Sequence, residues 1–191
     1  MESMSTLLAG LVIFFAVHLV PVNRGLRNKL TGAMGELPYK GLFSLVSLLG
    51  FYLIVVGKAE ATFVAVWTPP DFLRHLTMLL VLLAFVILPA AYIPSNIKNK
   101  LKNPMLIAVK LWALGHLLAN GDLASLLLFG AFLAYAVVDM ISVKKRGQVL
   151  STAKQPIWKD ALVVILGLVA YLLIVKNHAY LFGVPVIAMA G

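Results

Sequence analysis

Six long apolar runs, at residues 6–22, 41–57, 72–93, 105–120, 123–143 and 160–175, alternate with short polar segments along the chain. Most approach the ~20 residues that a helix needs to cross ~30 Å of hydrocarbon. The fourth is shorter and covers only ~24 Å at 1.5 Å per residue; such a span thins the bilayer or stands upright among its neighbours. None alternates apolar and polar positions with period two, so helices are the only spanning option. The pattern predicts an all-α polytopic membrane protein, a bundle of six transmembrane helices forming one domain over residues 1–191.

Local signals agree with these limits. Asn103-Pro104 predicts an N-cap and an N1 proline opening the fourth span. Asn120-Gly121-Asp122 predicts a tight turn, with Asp122 capping the fifth. Trp67 and Trp158 fall at the expected interfaces, where amphipathic rings belong. The apolar tail 179–191 is too short to span and is expected along the outer interface or against the bundle.

Charge adds a direction. Only 12% of residues are charged and 62% are hydrophobic, far from the balance of a soluble domain. Twelve of the sixteen Lys and Arg residues lie in the first, third and fifth connecting segments: Arg24, Arg27, Lys29 and Lys40; Lys98, Lys100 and Lys102; Lys144, Lys145, Arg146, Lys154 and Lys159. Lys58, Arg74 and Lys176 lie opposite, and Lys110 stands inside the fourth run. By the positive-inside rule the basic loops are cytoplasmic and both termini lie outside. The net charge of +9 thus reports topology, and the implied partner is a lipid bilayer rather than nucleic acid. The N-terminus carries Glu2 and no positive region, so the first run is expected to stay in the mature protein. The absence of cysteine excludes disulfides, thiolate metal sites and a cysteine nucleophile. No Ser/His/Asp set, HExxH, P-loop or GxGxxG arrangement is present.

What chemistry remains rests on histidine. His18 and His116 lie inside the first and fourth runs, and an ionisable group within a bilayer is by default a functional hypothesis. Counted from the ends of antiparallel spans, the two stand ~18 Å below the outer and ~17 Å above the inner surface, close to one level. Neutral imidazoles at matching depth suit the two axial positions of a haem iron. They equally suit hydrogen bonds between helices. Trp112 and Ala113 share the face of His116, and Phe14 and Phe15 that of His18. Gly115, Ala119 and Ala108 leave one side of the fourth span low, open to a helix or to a porphyrin edge. Arg24 and Arg27, provided the first helix continues past Pro21, and Lys110 are candidate partners for haem propionates. His75 and His178 are expected to be solvated, and Asp139 to pair with Lys144.

The segments "HLVPVNRGLR", "YKGLFSLVSLLGFYLIVVGKAEA", "NPMLIAVKLWALGHLLANGD" and "LLLFGAFLAYAVVD" closely resemble the bacterial NnrU family over nearly the whole chain. NnrU proteins are associated with nitrite and nitric oxide reduction through gene neighbourhood. The same domain forms the membrane part of plant and cyanobacterial 15-cis-zeta-carotene isomerase, a haem b enzyme acting on a carotenoid precursor. The resemblance implies a bacterial inner-membrane protein, with His18 and His116 as axial ligands of haem b iron. Arg24, Arg27, Lys110 and Trp112 are the further cofactor-binding candidates. Two departures stand out. Ala113 occupies the place of a cysteine that serves the plant enzyme as an alternative ligand, and Asn103 that of a histidine usual in the family. The resemblance therefore implies haem binding with a redox or accessory role more directly than polyene cis–trans isomerisation, for which no catalytic residue is assigned. A non-catalytic membrane scaffold is the third reading. A lipophilic polyene or a redox partner is the further partner implied.

Overall fold

The computed structural model describes residues 2–147 and 153–186; the last five residues of the apolar tail lie outside the described residues. Every apolar run forms a helix. In chain order these are α1 (Glu2–Leu19), α2 (Arg24–Met34), α3 (Glu36–Ala59), α4 (Leu73–Ile87) followed by a 3₁₀ turn (Leu88–Ala91), α5 (Asn96–Leu101), α6 (Pro104–Ala119), α7 (Leu123–Lys145) and α8 (Ile157–Phe182). Four segments are long and apolar enough to cross a bilayer: Glu36–Ala59, Leu73–Ala91, Leu123–Lys145 and Ile157–Phe182. A fifth arises if α1 and α2 count as one bent span, and α6 is a shorter apolar helix. Lengths and composition thus support four or five spans, against the six expected.

Two helix ends fall elsewhere than the ends of the apolar runs 6–22 and 160–175. The first helix does not continue past Pro21. It stops at Leu19, because the residue before a proline is driven out of the α region. The Asn23 side chain then accepts from the Leu26 amide at 3.1 Å and starts α2 at 85° to α1. The sixth helix, by contrast, runs on to Phe182, so residues expected in an interfacial tail belong to α8.

The chain divides into two compact units, Met1–Thr68 with Asn120–Lys145, and Pro69–Ala119 with Arg146–Gly191. In the first unit α1 and α3 run against each other at near backbone contact. A methyl group built on Gly10 would stand 2.6 Å from the Ile54 nitrogen, and one on Gly50 2.7 Å from that of Phe14. One on Gly57 would collide with the backbone of Leu7. Without a hydrophobic driving force in lipid, such small residues let two helices gain dispersion contact along their length. The helix α7 closes the unit through Phe132, whose ring lies 5.5 Å from Phe14 and 5.0 Å from Phe15. It also serves carbonyls left open at the end of α1: the Tyr135 hydroxyl donates to the His18 carbonyl and the Ser142 hydroxyl to that of Val22, both at 3.4 Å. At the other end, the Leu123 amide donates to the Val64 carbonyl at 2.9 Å and the Val66 amide to that of Gly121 at 2.8 Å. Asp122 caps α7 as expected, accepting from the Ser125 amide at 2.9 Å, and also pairs with Lys58 at 3.1 Å. Burial alone would raise the Asp122 carboxyl; the hydrogen bonds from Ser125 and the Lys58 ammonium outweigh it and hold it below the ordinary carboxylate range.

In the second unit α4 is central. Gly167 of α8 packs directly on the Phe85 and Val86 backbone. Gly115 of α6 faces Thr77, Leu80 and Val81, and the Thr77 hydroxyl donates to the Gly115 carbonyl at 2.8 Å. The short α5 is tied to the start of α8: the Asn96 amide donates to Asp160 at 2.6 Å and to the Gln155 carbonyl at 2.8 Å, and the Ile97 N–H donates to Asp160 at 3.0 Å. The last of these satisfies a backbone N–H at the start of α5, which a bilayer would leave unpaired.

Candidate functional site

His18 and His116 belong to different units, and each is built by its own surroundings. His18 stands in the last turn of α1, not at mid-span, because the helix ends at Leu19. Its Nδ1 lies 2.7 Å from the Phe14 carbonyl, one turn earlier. A carbonyl only accepts, so the neutral ring carries its proton on Nδ1 and its lone pair on Nε2. The ring stacks on Phe14 at 4.0 Å and lies 5.2 Å from Phe43 and 5.9 Å from Tyr135. Gly50 of α3 packs directly on the Phe14 backbone and so brings the two helices together beneath this ring.

His116 repeats the arrangement. It stands in the last turn of α6, and its Nδ1 lies 2.8 Å from the Trp112 carbonyl, again one turn earlier. The same tautomer results. The Trp112 ring lies 5.3 Å away, and Ala113 is fully buried.

The low side of α6 serves packing. Gly115 is closed off by α4, so it makes no room for a porphyrin edge. Ala108 lines an apolar cavity of about 220 Å³ together with Ala84, Phe85, Leu88, Val109 and Trp112. That volume lies below the ~300–1,000 Å³ typical of ligand pockets.

Among the other candidates, Arg24 and Arg27 are carried away from α1 by the bend at Pro21. Arg27 donates to Glu36 at 3.0 Å and lies 6.0 Å over the Tyr39 ring, so its charge already has a carboxylate partner. Lys110 lies six residues before His116 on α6, with Trp112 between them. His75 is exposed, as expected. His178 departs from expectation. It lies within α8, its ring is 4.8 Å from Phe182 and its Nδ1 is 2.5 Å from the Val184 carbonyl. It is also near enough to His116 for the two imidazoles to interact electrostatically. The only sign of this in the sequence is a helical pattern that does not stop at Val175.

Two buried hydroxyls, Tyr39 Oη and Ser47 Oγ, have no hydrogen-bond partner among the described residues. Both belong to α3, one turn to either side of Phe43, which touches His18. No group of three or more His, Cys, Asp or Glu side chains stands together among the described residues. A site made of protein ligands alone therefore has no basis there, whereas axial ligation of a macrocycle asks only one imidazole on each side. The tautomers fit such a group.

No curated protein and no solved structure matches the chain. The profile described as NnrU protein matches residues 6–186, across both units. That extent, nearly the whole of a chain built of apolar helices, means that this chain belongs to the NnrU family.

Proposed function

We propose that this membrane protein binds haem b with His18 and His116 as axial ligands, and has a redox or accessory role connected with nitrogen oxides. The observation that carries the reading is the repeated tether: each imidazole is oriented by a carbonyl four residues earlier, which leaves the lone pair on Nε2. Metal-ligating histidines are commonly oriented in this way by a bond from the other ring nitrogen. Haem, when bound, supplies one-electron chemistry whose potential depends on its axial ligands and on burial. The chain's own contribution is to hold the two ring tautomers and to set the His18 ring against Phe14, Phe43 and Tyr135. Lys110 is the remaining candidate propionate partner, Arg27 being engaged by Glu36 and Arg24 being carried away from α1 by the bend at Pro21. Trp112 offers an apolar wall beside His116. The basic loops face the cytoplasm of a bacterial inner membrane in this reading, with both termini outside.

A haem titration of the detergent-purified protein tests this. One haem per chain, with a Soret band that shifts on reduction, is expected. A folded protein that takes up no haem would leave the scaffold reading. Polyene isomerisation is a second reading, favoured by the hydrocarbon-lined cavity beside Trp112. At about 220 Å³ it admits a segment of a long polyene rather than the whole. Isomer analysis of a carotenoid precursor incubated with reduced protein distinguishes the two.

A further inference from the structure

The helix α2 has no buried residue, and none of its own residues is acidic. Its apolar residues Leu26, Leu30 and Met34 recur every four positions and form one stripe, with Leu26 and Met34 well exposed. Arg24, Asn28 and Thr31 occupy the opposite side, and Arg27 and Lys29 flank the stripe. Between Arg24 and Lys40 there are four cations and one carboxylate, Glu36. Glu36 binds Arg27 at 3.0 Å and Lys40 at 3.3 Å. Arg24 and Lys29 are exposed and have no ion pair among the described residues.

Geometry says what this face meets. The axis of α2 turns 85° from that of α1 within four residues. An α1 that runs along the membrane normal leaves α2 nearly in the membrane plane, at the level where α1 ends. A helix with an apolar stripe, flanking cations and low overall hydrophobicity is stable there, with the stripe among the acyl chains and the cations at the headgroups. Gly35, at φ +87°, lets the chain turn again into α3.

We infer that α2 is an in-plane helix whose Arg24 and Lys29 recognise anionic phospholipid headgroups of the leaflet in which α1 ends. Charge complementarity selects this occupant: a neutral leaflet accepts the stripe but leaves both cations without counter-charge, whereas phosphatidylglycerol-type lipids supply it. The inference is independent of haem binding.

The cysteine-free chain makes the test direct. Single-cysteine variants Met34→Cys, on the stripe, and Gly32→Cys, where added atoms meet nothing, carry an environment-sensitive fluorophore in the full chain. The protein is reconstituted in phosphatidylcholine vesicles with or without one part in about three of phosphatidylglycerol, the anionic partner chemistry at issue. The Met34 probe is expected to be quenched by brominated acyl chains and the Gly32 probe by aqueous iodide. Phosphatidylglycerol should deepen quenching at Met34. Added Arg24→Gln and Lys29→Gln substitutions should abolish that increment while preserving the quenching in neutral vesicles. Circular dichroism checks that these variants keep their helix content. Quenching of both probes by iodide alone would overturn the in-plane placement. An increment that survives loss of both cations would overturn headgroup recognition. A Met34 probe shielded from both quenchers would mean that protein covers the face, and would overturn the lipid assignment.

Discussion

His18 and His116 share one device and differ in how it is supported. Each is fixed by a bond from Nδ1 to the carbonyl one turn earlier, at 2.7 and 2.8 Å. Around His18 the support is aromatic and the helix beneath is locked backbone to backbone, since Gly10, Gly50 and Gly57 leave no space between α1 and α3. Around His116 the support is a looser glycine contact, with the Val81 and Leu80 side chains and the Thr77 carbonyl at 3.2–3.4 Å, and a hydroxyl bond from Thr77 to the Gly115 carbonyl. Equivalent ligand candidates can thus rest on unequal foundations. A close helix contact made of backbone cannot relax, whereas one made of side-chain ends can.

The largest test of that contrast is Gly50→Leu. Its side chain has to enter space occupied by the Phe14 backbone. The expected cost exceeds the ~1–3 kcal/mol of ordinary overpacking, read as loss of a thermal unfolding transition or of extractable protein. Wild-type stability would show that α1 and α3 are not so closely apposed. Acidification addresses the far end of the same unit. Asp122 titrates below its ordinary value when folded, so its contribution is present above the ordinary carboxylate range and is lost as pH falls through the lower folded value. Asp122→Ala removes the α7 cap and the Lys58 pair, at about 1–2 kcal/mol, and should flatten that acid limb of the stability curve. An unchanged limb would mean that other carboxylates set it.

Gly115→Ala is the milder counterpart of the first substitution. The nearest atoms to the added methyl are the Val81 side chain at 3.2 Å and the Thr77 carbonyl at 3.3 Å. A change within about 1 kcal/mol of wild type is expected, because helix propensity gained from Ala offsets part of the crowding. A collapse as severe as that of Gly50→Leu would erase the distinction between the two supports. Smallest is Thr77→Val, which removes one hydroxyl bond at roughly 0.5–1.5 kcal/mol, measured as a shift in melting temperature; no shift would mean the bond does not hold α6 in place.

The apolar runs were legible because hydropathy and helix length are local properties, and the Asn120-Gly121-Asp122 turn because its cap is encoded in adjacent residues. The end of α1 was legible only as a condition on Pro21, and that proline resolves it against a continuous helix. What stayed hidden is long-range. Gly10, Gly50 and Gly57 are ordinary letters within apolar runs until α1 and α3 are brought side by side. Gly115 read equally as a seat for a helix or for a porphyrin edge, and only the fold shows that α4 takes it. His178 looked solvated because the sixth run was ended seven residues before Phe182.

The central claim meets its most direct test in the absorption spectrum of the purified protein compared with His18→Ala, His116→Ala and His178→Ala. The account requires a Soret band in the wild type that is lost or displaced in each of the first two variants and kept in the third. A band unchanged in His18→Ala, and abolished in His178→Ala, would contradict it and move ligation to the pair of imidazoles within the second unit.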